Sequence, residues 1–210
     1  TPPSEIKKLT EGLAEYPNIT VFSDEIYDRL VFNTPPHSLL CYPEIRDRLI
    51  ILNGWSKTYA MTGWRVGFGI WPESTIEFAD KLGINYHSCV NTAAQFAALT
   101  ATTGEQNCVE NMKIAFKRRA RLIAKNLNKI RGIKCQMPGG AFYAFPNIKK
   151  LGISSEILQA QLLEEYGVAA LAGTAFGTYG EGYIRFSSAN SDILIQEACD
   201  KLEKLCLNYL

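Results

Sequence analysis

Apolar positions along this chain fall into two patterns. Short continuous runs at residues 19–22, 49–52 and 66–71 read as strands, the one at 49–52 as a buried strand. Longer stretches repeat at three and four. The clearest covers 105–130, where Val109, Met112, Phe116, Ala120, Ile123, Leu127 and Ile130 form one helical stripe. The opposite face carries Lys113, Lys117, Arg118, Arg121 and Lys125 and reads as a solvated face. A second amphipathic helix, with Leu194, Ala198, Leu202 and Leu205 on one side, is expected over 192–207. Further helices are expected at 6–16 after Pro2-Pro3-Ser4, at 73–82 after Pro72, and in the Ala-rich stretch 92–101. One more runs from Ser154-Ser155 to about residue 166, with Gly167 as its stop. Residues 83–91 read as a break, 33–38 as a loop and 42–48 as a surface helix or turn. Short strands are expected at 141–145, 168–171 and 183–187. Pro138-Gly139-Gly140 reads as a turn before the first of these, and Gly173, Gly177, Gly180 and Gly182 as a flexible loop. That loop lacks the glycine spacing of a dinucleotide site.

Composition narrows the classes. The 210 residues can bury a core in one large or two small domains, and 47% of them are hydrophobic. A net charge of +1 gives no electrostatic reason to expect nucleic acid or an anionic membrane as partner. No apolar run approaches the roughly 20 residues that span a bilayer. The six cysteines show no C-x-x-C pair, which favours free thiols in a reducing, cytoplasmic setting. His37 and His87 are too few and too far apart for a metal site.

The chemistry concentrates between the runs at 49–52 and 66–71. There Lys57 stands among small and hydroxylated residues, with Arg65 eight positions on. Such a lysine suits a desolvated amine that condenses with an aldehyde; a solvated loop lysine is the plain alternative. Asp24 ends the run at 19–22, at the kind of strand end where open α/β sheets bind ligands, though a helix N-cap would also use it. Glu25 and Asp28 read as solvated, and His37 as an exposed loop histidine. Arg185 lies inside an apolar strand and needs a partner, for which a structural ion pair would serve.

The stretch from Asn53 to Gly67 resembles the pyridoxal-phosphate attachment site of class I/II aminotransferases, the fold type I enzymes similar to aspartate aminotransferase. Ser56-Lys57, Gly63-x-Arg65 and Val66-Gly67 match at the family's spacing. The resemblance implies a Schiff base between Lys57 and pyridoxal 5'-phosphate, with Arg65 on its phosphate and Lys57 as catalytic base. It implies that Asp24, 33 residues before Lys57, pairs with the ring nitrogen and that Tyr27 donates to the phenolic oxygen. It implies that Arg185, within Tyr183-Ile184-Arg185-Phe186-Ser187, grips the substrate α-carboxylate. Two positions depart from the family pattern. Trp55 is larger than usual. Gly54 stands three before the lysine, where many members carry a phosphate-binding hydroxyl, so Ser56 becomes the candidate for that role.

The fold implied is α/β. Residues 1–115 would form part of a three-layer α/β/α cofactor-binding domain, and 116–210 an α+β small domain. The function implied is transfer of an amino group between an amino acid and a 2-oxo acid, by a homodimer. The resemblance covers nearly all of the chain but only the C-terminal part of the family's usual length, so a C-terminal fragment is expected. Two other readings stay open: a lyase of the same fold, and a non-catalytic remnant acting as an interaction module.

Overall fold

A computed structural model describes residues 1–33 and 36–209. Positions 34 and 35 of the expected loop at 33–38 lie outside the described residues. The chain divides into two compact units, Thr1–Asn111 and Met112–Leu210.

The first unit opens with α1 (Pro3–Ala14), whose proline at the first turn gives up no needed hydrogen bond. Three strands follow: β1 (Val21–Asp24), β2 (Leu49–Gly54) and β3 (Gly67–Ile70). They pair in the order β1-β2-β3, with β1 parallel and β3 antiparallel to β2. The apolar run in β2 is buried from Leu49 to Ile51, while Leu52 is exposed: Leu49 and Ile51 pack with Leu39 and Ile45, and Ile6 and Leu13 of α1 close over them. The segment Pro43–Arg48 is 3-10 helical. Its last residue, Arg48, donates hydrogen bonds to the carbonyls of Leu13, Tyr16 and Ile19 at 2.6–2.8 Å. Those carbonyls end α1 and lead away from it. No basic residue lies in the helix's own last turn.

Two helices complete this unit, α2 (Glu73–His87) and α3 (Thr92–Thr103). Helix α2 runs five residues beyond the expected stop, straight through Gly83. A Cβ at Gly83 would meet nothing within 4 Å, so this glycine marks neither a turn nor a close approach. It carries only the helix-interior cost of about 1 kcal/mol. Helix α3 is Ala-rich, and Ala94 and Ala98 let it approach Met61 and Val66 closely.

The longest helix, α4 (Asn107–Leu127), bears the expected stripe; the division between the units falls within it. In the second unit Ile123 and Leu127 of that stripe enter one core with Leu158 and Leu162 of α5 (Ser155–Glu164). Ile184 and Phe186 of β6 (Ile184–Ser187) join them, as do Ile195 and Leu202 of α6 (Asp192–Cys206). With β4 (Tyr143–Ala144) and β5 (Leu171–Ala172), β6 makes an antiparallel sheet in the order β4-β6-β5. One residue of the basic face of α4, Arg118, stays 63% exposed while pairing with Asp192 at 2.9 Å, and its neighbour Arg119 reaches the same carboxylate at 3.3 Å. The hydrogen bond from Arg118 holds the Asp192 carboxyl below its ordinary value. The strand expected at 141–145 is shorter, Tyr143–Ala144, and Ala141 before it holds left-handed backbone at φ 55°.

Candidate active site

Strand β1 ends at Asp24, in register with Leu52 of the parallel strand β2. The Glu25 amide continues the pairing by donating to the Leu52 carbonyl at 2.8 Å. Asp24, and the turn that carries Ser56 and Lys57, thus leave neighbouring parallel strands at the same, C-terminal edge. Asp24 is exposed, and its Oδ1 accepts from the Ile26 amide at 3.2 Å, an Asx-type turn and not a helix cap. Tyr27 lies in the turn that follows and is half-buried.

The lysine-bearing turn is pinned on both sides of Lys57. Trp55 Nε1 donates to Thr102 Oγ1 of α3 at 2.8 Å. The Tyr59 hydroxyl donates to Gln106 Oε1 at 3.0 Å, and Gln106 is itself fixed by donating to the Ala101 and Gly104 carbonyls. Thr58 is buried, whereas Ser56 and Lys57 are half-buried. Ala60 and Arg65 hold left-handed backbone, at φ 54° and 53°. Each such residue carries strain of about 1–3 kcal/mol that the surrounding packing must hold. Arg65 is exposed and donates one side-chain hydrogen bond, from Nη1 to the Thr62 carbonyl at 2.9 Å. It lines a concavity with Ala60, Gly63, Trp64, Asn91 and Ala94, so the N-terminal end of α3 borders the same space. A second, apolar concavity lies between Trp55, Val66 and α3. Neither is lined by Lys57 or Asp24.

Glu25 and Asp28 are not the solvated residues expected. Glu25 Oε1 accepts hydrogen bonds from Ser23 Oγ, Ser38 Oγ and the Leu39 amide. It therefore ties the chain end of β1 to the segment before β2. Asp28 accepts from Asn53 Nδ2, the residue at the mouth of the lysine turn. Nothing in sequence spacing reveals these partners, because they meet only once β1 and β2 pair. His37 shares a hydrogen bond with the Tyr42 hydroxyl at 3.0 Å.

In the second unit Arg185 stands on the central strand β6 and is half-buried. The structural ion pair that sequence reasoning allowed is not there: among the described residues no carboxylate pairs with it. Its charge instead meets the faces of Tyr143 and Phe176, at 4.5 and 4.7 Å from the guanidinium carbon to the ring centroids. Among the described residues, three or more metal-ligating side chains nowhere cluster, and no helix is long and apolar enough to cross a membrane.

The model of the family described as aminotransferase class I and II matches residues 1–202. A putative aminotransferase of Bacillus subtilis, YugH, is 39% identical over 200 residues, 95% of this chain and 51% of that protein. An aspartate aminotransferase of Pyrococcus horikoshii is 39% identical over 205 residues, again 95% of this chain and 51% of the relative. Among solved structures, an aromatic aminotransferase from Pyrococcus horikoshii superposes with a TM-score of 0.94 at 34% identity, covering 99% of this chain and 56% of that one. An alanine aminotransferase from Pyrococcus furiosus does so at 0.88 and 32%, covering 99% and 54%. The chain spans about half the length of the curated relatives it matches.

Proposed function

Because this chain belongs to the class I and II aminotransferases, we propose that it serves amino-group transfer between an amino acid and a 2-oxo acid, with pyridoxal 5'-phosphate held at Lys57. The observation that carries this reading is the parallel register of β1 and β2, which brings a carboxylate and a half-buried amine to one sheet edge. The residues fit the cofactor's three polar demands. Its aldehyde needs a primary amine, which Lys57 supplies. Its phosphate needs a cation with free donors, and among the described residues Arg65 spends one side-chain hydrogen bond on the protein. Its ring nitrogen needs a carboxylate, and among the described residues Asp24 accepts a backbone hydrogen bond at Oδ1 and none at Oδ2.

When bound, pyridoxal phosphate supplies an electrophilic carbon and a conjugated ring able to take up an electron pair. The chain's own groups do the rest. Asp24 holds a proton at the ring nitrogen. Tyr27 donates a hydrogen bond to the phenolic oxygen, and Arg65 with the Ser56 hydroxyl holds the phosphate. Lys57 Nζ would take the proton from the donor's α-carbon and deliver it to the cofactor's electrophilic carbon, so that the α-carbon is left at the oxidation level of a 2-oxo acid. Arg185 binds the α-carboxylate and so orients the bond that breaks. In this reading the first unit belongs to the cofactor-binding domain and the second to the small domain. The working form is a homodimer, for which the exposed apolar residues Ile76, Phe78, Leu82 and Ile84 of α2 offer surface. A cytoplasmic setting accords with six free cysteines.

Borohydride reduction of the chain incubated with pyridoxal phosphate tests the assignment. The stable adduct is expected on the peptide carrying Lys57, and Lys57→Ala is expected to remove it together with the visible absorbance band. An adduct spread over other lysines, or a band that survives Lys57→Ala, refutes the proposal.

A further inference from the structure

Arg185 is a half-buried cation whose charge is met by rings alone. Among the described residues it has no carboxylate partner and donates no side-chain hydrogen bond. Its polar atoms still reach solvent, since no buried side-chain nitrogen or oxygen lacks a partner. Tyr143 of β4 pairs with Ser187, two residues along β6 from Arg185, which puts both side chains on one face of the sheet. Phe176 ends the 3-10 turn Gly173–Phe176 that follows β5, the strand on the other side of β6. The two rings therefore come to the guanidinium from the two flanks of the central strand. Phe176 is 52% exposed, yet it is backed by Phe145, edge to face at 5.9 Å. Phe145 in turn stacks on Tyr183 at 5.2 Å and 13°. An apolar ring is thus propped at the surface against a cation.

We propose that Tyr143 and Phe176 are positioning residues that cover the faces of the Arg185 guanidinium and leave only its in-plane donor edge to a ligand. The site then selects planar carboxylates over tetrahedral anions. This inference rests on the reading of Arg185 as the carboxylate-binding group. The guanidinium is flat, and its N–H donors lie in its own plane. A carboxylate meets such an edge with two parallel hydrogen bonds. A tetrahedral oxyanion can lay two of its oxygens in that plane, but its remaining substituents then project above and below it, toward the rings that lie 4.5 and 4.7 Å from the guanidinium carbon. Holding the guanidinium in one orientation beforehand also reduces the ordering cost of binding.

The test is an NMR titration of the ¹⁵N-labelled chain, following the Arg185 Nε–H resonance, identified by its loss in Arg185→Lys. The probes are pyruvate and methylphosphonate. In the wild-type chain the resonance is expected upfield through ring currents, and pyruvate is expected to bind about tenfold more tightly than methylphosphonate, a factor worth about 1.4 kcal/mol. Phe176→Leu should relax the upfield shift and bring the two affinities within about twofold. Phe176→Tyr should restore both. If Phe176→Leu keeps the wild-type preference, or the wild type shows none, the ring clamp is wrong while Arg185 remains a carboxylate site. If pyruvate leaves the wild-type resonance unmoved, the clamp and the reading beneath it fall together.

Discussion

Gly54 has no room for a side chain. It pairs with Gly67 across β2 and β3, and a Cβ at 54 would stand 2.8 Å from the Gly67 Cα and 3.0 Å from the Val66 carbonyl oxygen. A hydroxyl-bearing residue, the family habit at this place, cannot enter without pushing β3 away, so any hydroxyl for the phosphate must come from elsewhere on the turn. Gly54→Ser is accordingly expected to cost about 1–3 kcal/mol, the usual range for forced overpacking. Gly63→Ser meets open space and should stay within about 0.5 kcal/mol. Urea midpoints at constant slope compare the two; equal midpoints would show that β3 yields freely. The candidate residues Ser56, Lys57 and Arg65 could be named from sequence because a single local stretch carries them. Asp24 could be named because it ends an apolar run, and the parallel pairing of β1 and β2 brings it to the edge where the lysine turn begins. The roles of Glu25 and Asp28 were hidden, since their partners Ser38 and Asn53 lie 13 and 25 residues away. Strain was hidden too: left-handed backbone fell on Ala60, Arg65 and Ala141, which composition does not mark.

Helix ends were legible where side chains cap them. Ser154 accepts from the Ile157 amide at the start of α5, and Ser191 from the Leu194 amide at the start of α6. Gly167, at φ 65°, follows α5 as expected. A second contact at α5 was not foreseeable. Glu181, in the glycine-rich loop, accepts from the Ser155 amide at 2.9 Å and from its hydroxyl at 2.8 Å. These two bonds, the amide first, hold the Glu181 carboxyl below its ordinary value. A carboxyl lowered in the folded state adds stability that is complete above its unfolded value, about 4.3, and is lost as pH falls through the folded value. Thermal midpoints of the wild-type chain and of Glu181→Gln are therefore expected to differ by a constant amount above about pH 5.5 and to converge on acidification. A gap that stays constant down to acid-denaturing pH would show that the carboxylate charge contributes nothing.

The two units are built to different depths. The second gathers residues from α4, α5, β6 and α6 around one continuous core that also encloses Cys135, Cys199 and Cys206. Burial pushes those thiols up to about 11, 12 and 11. The first unit has two small clusters instead, α2 has no buried residue, and all of β3 is exposed. Amide hydrogen exchange should therefore be slowest in α5, β6 and α6 and fast along α2 and β3, because local opening follows the depth of apolar contact. Equal protection in the two sets would mean that this difference in packing has no energetic weight. Within the first unit, order of assembly follows from one side chain. Twelve residues are too few for α1 to persist alone in water. The Leu13 carbonyl in its last turn is met by Arg48, 35 residues later in the sequence. On a ribosome the segment of α1 is made well before that arginine, so the helix waits on a residue not yet synthesised and takes its final form only when the start of β2 arrives.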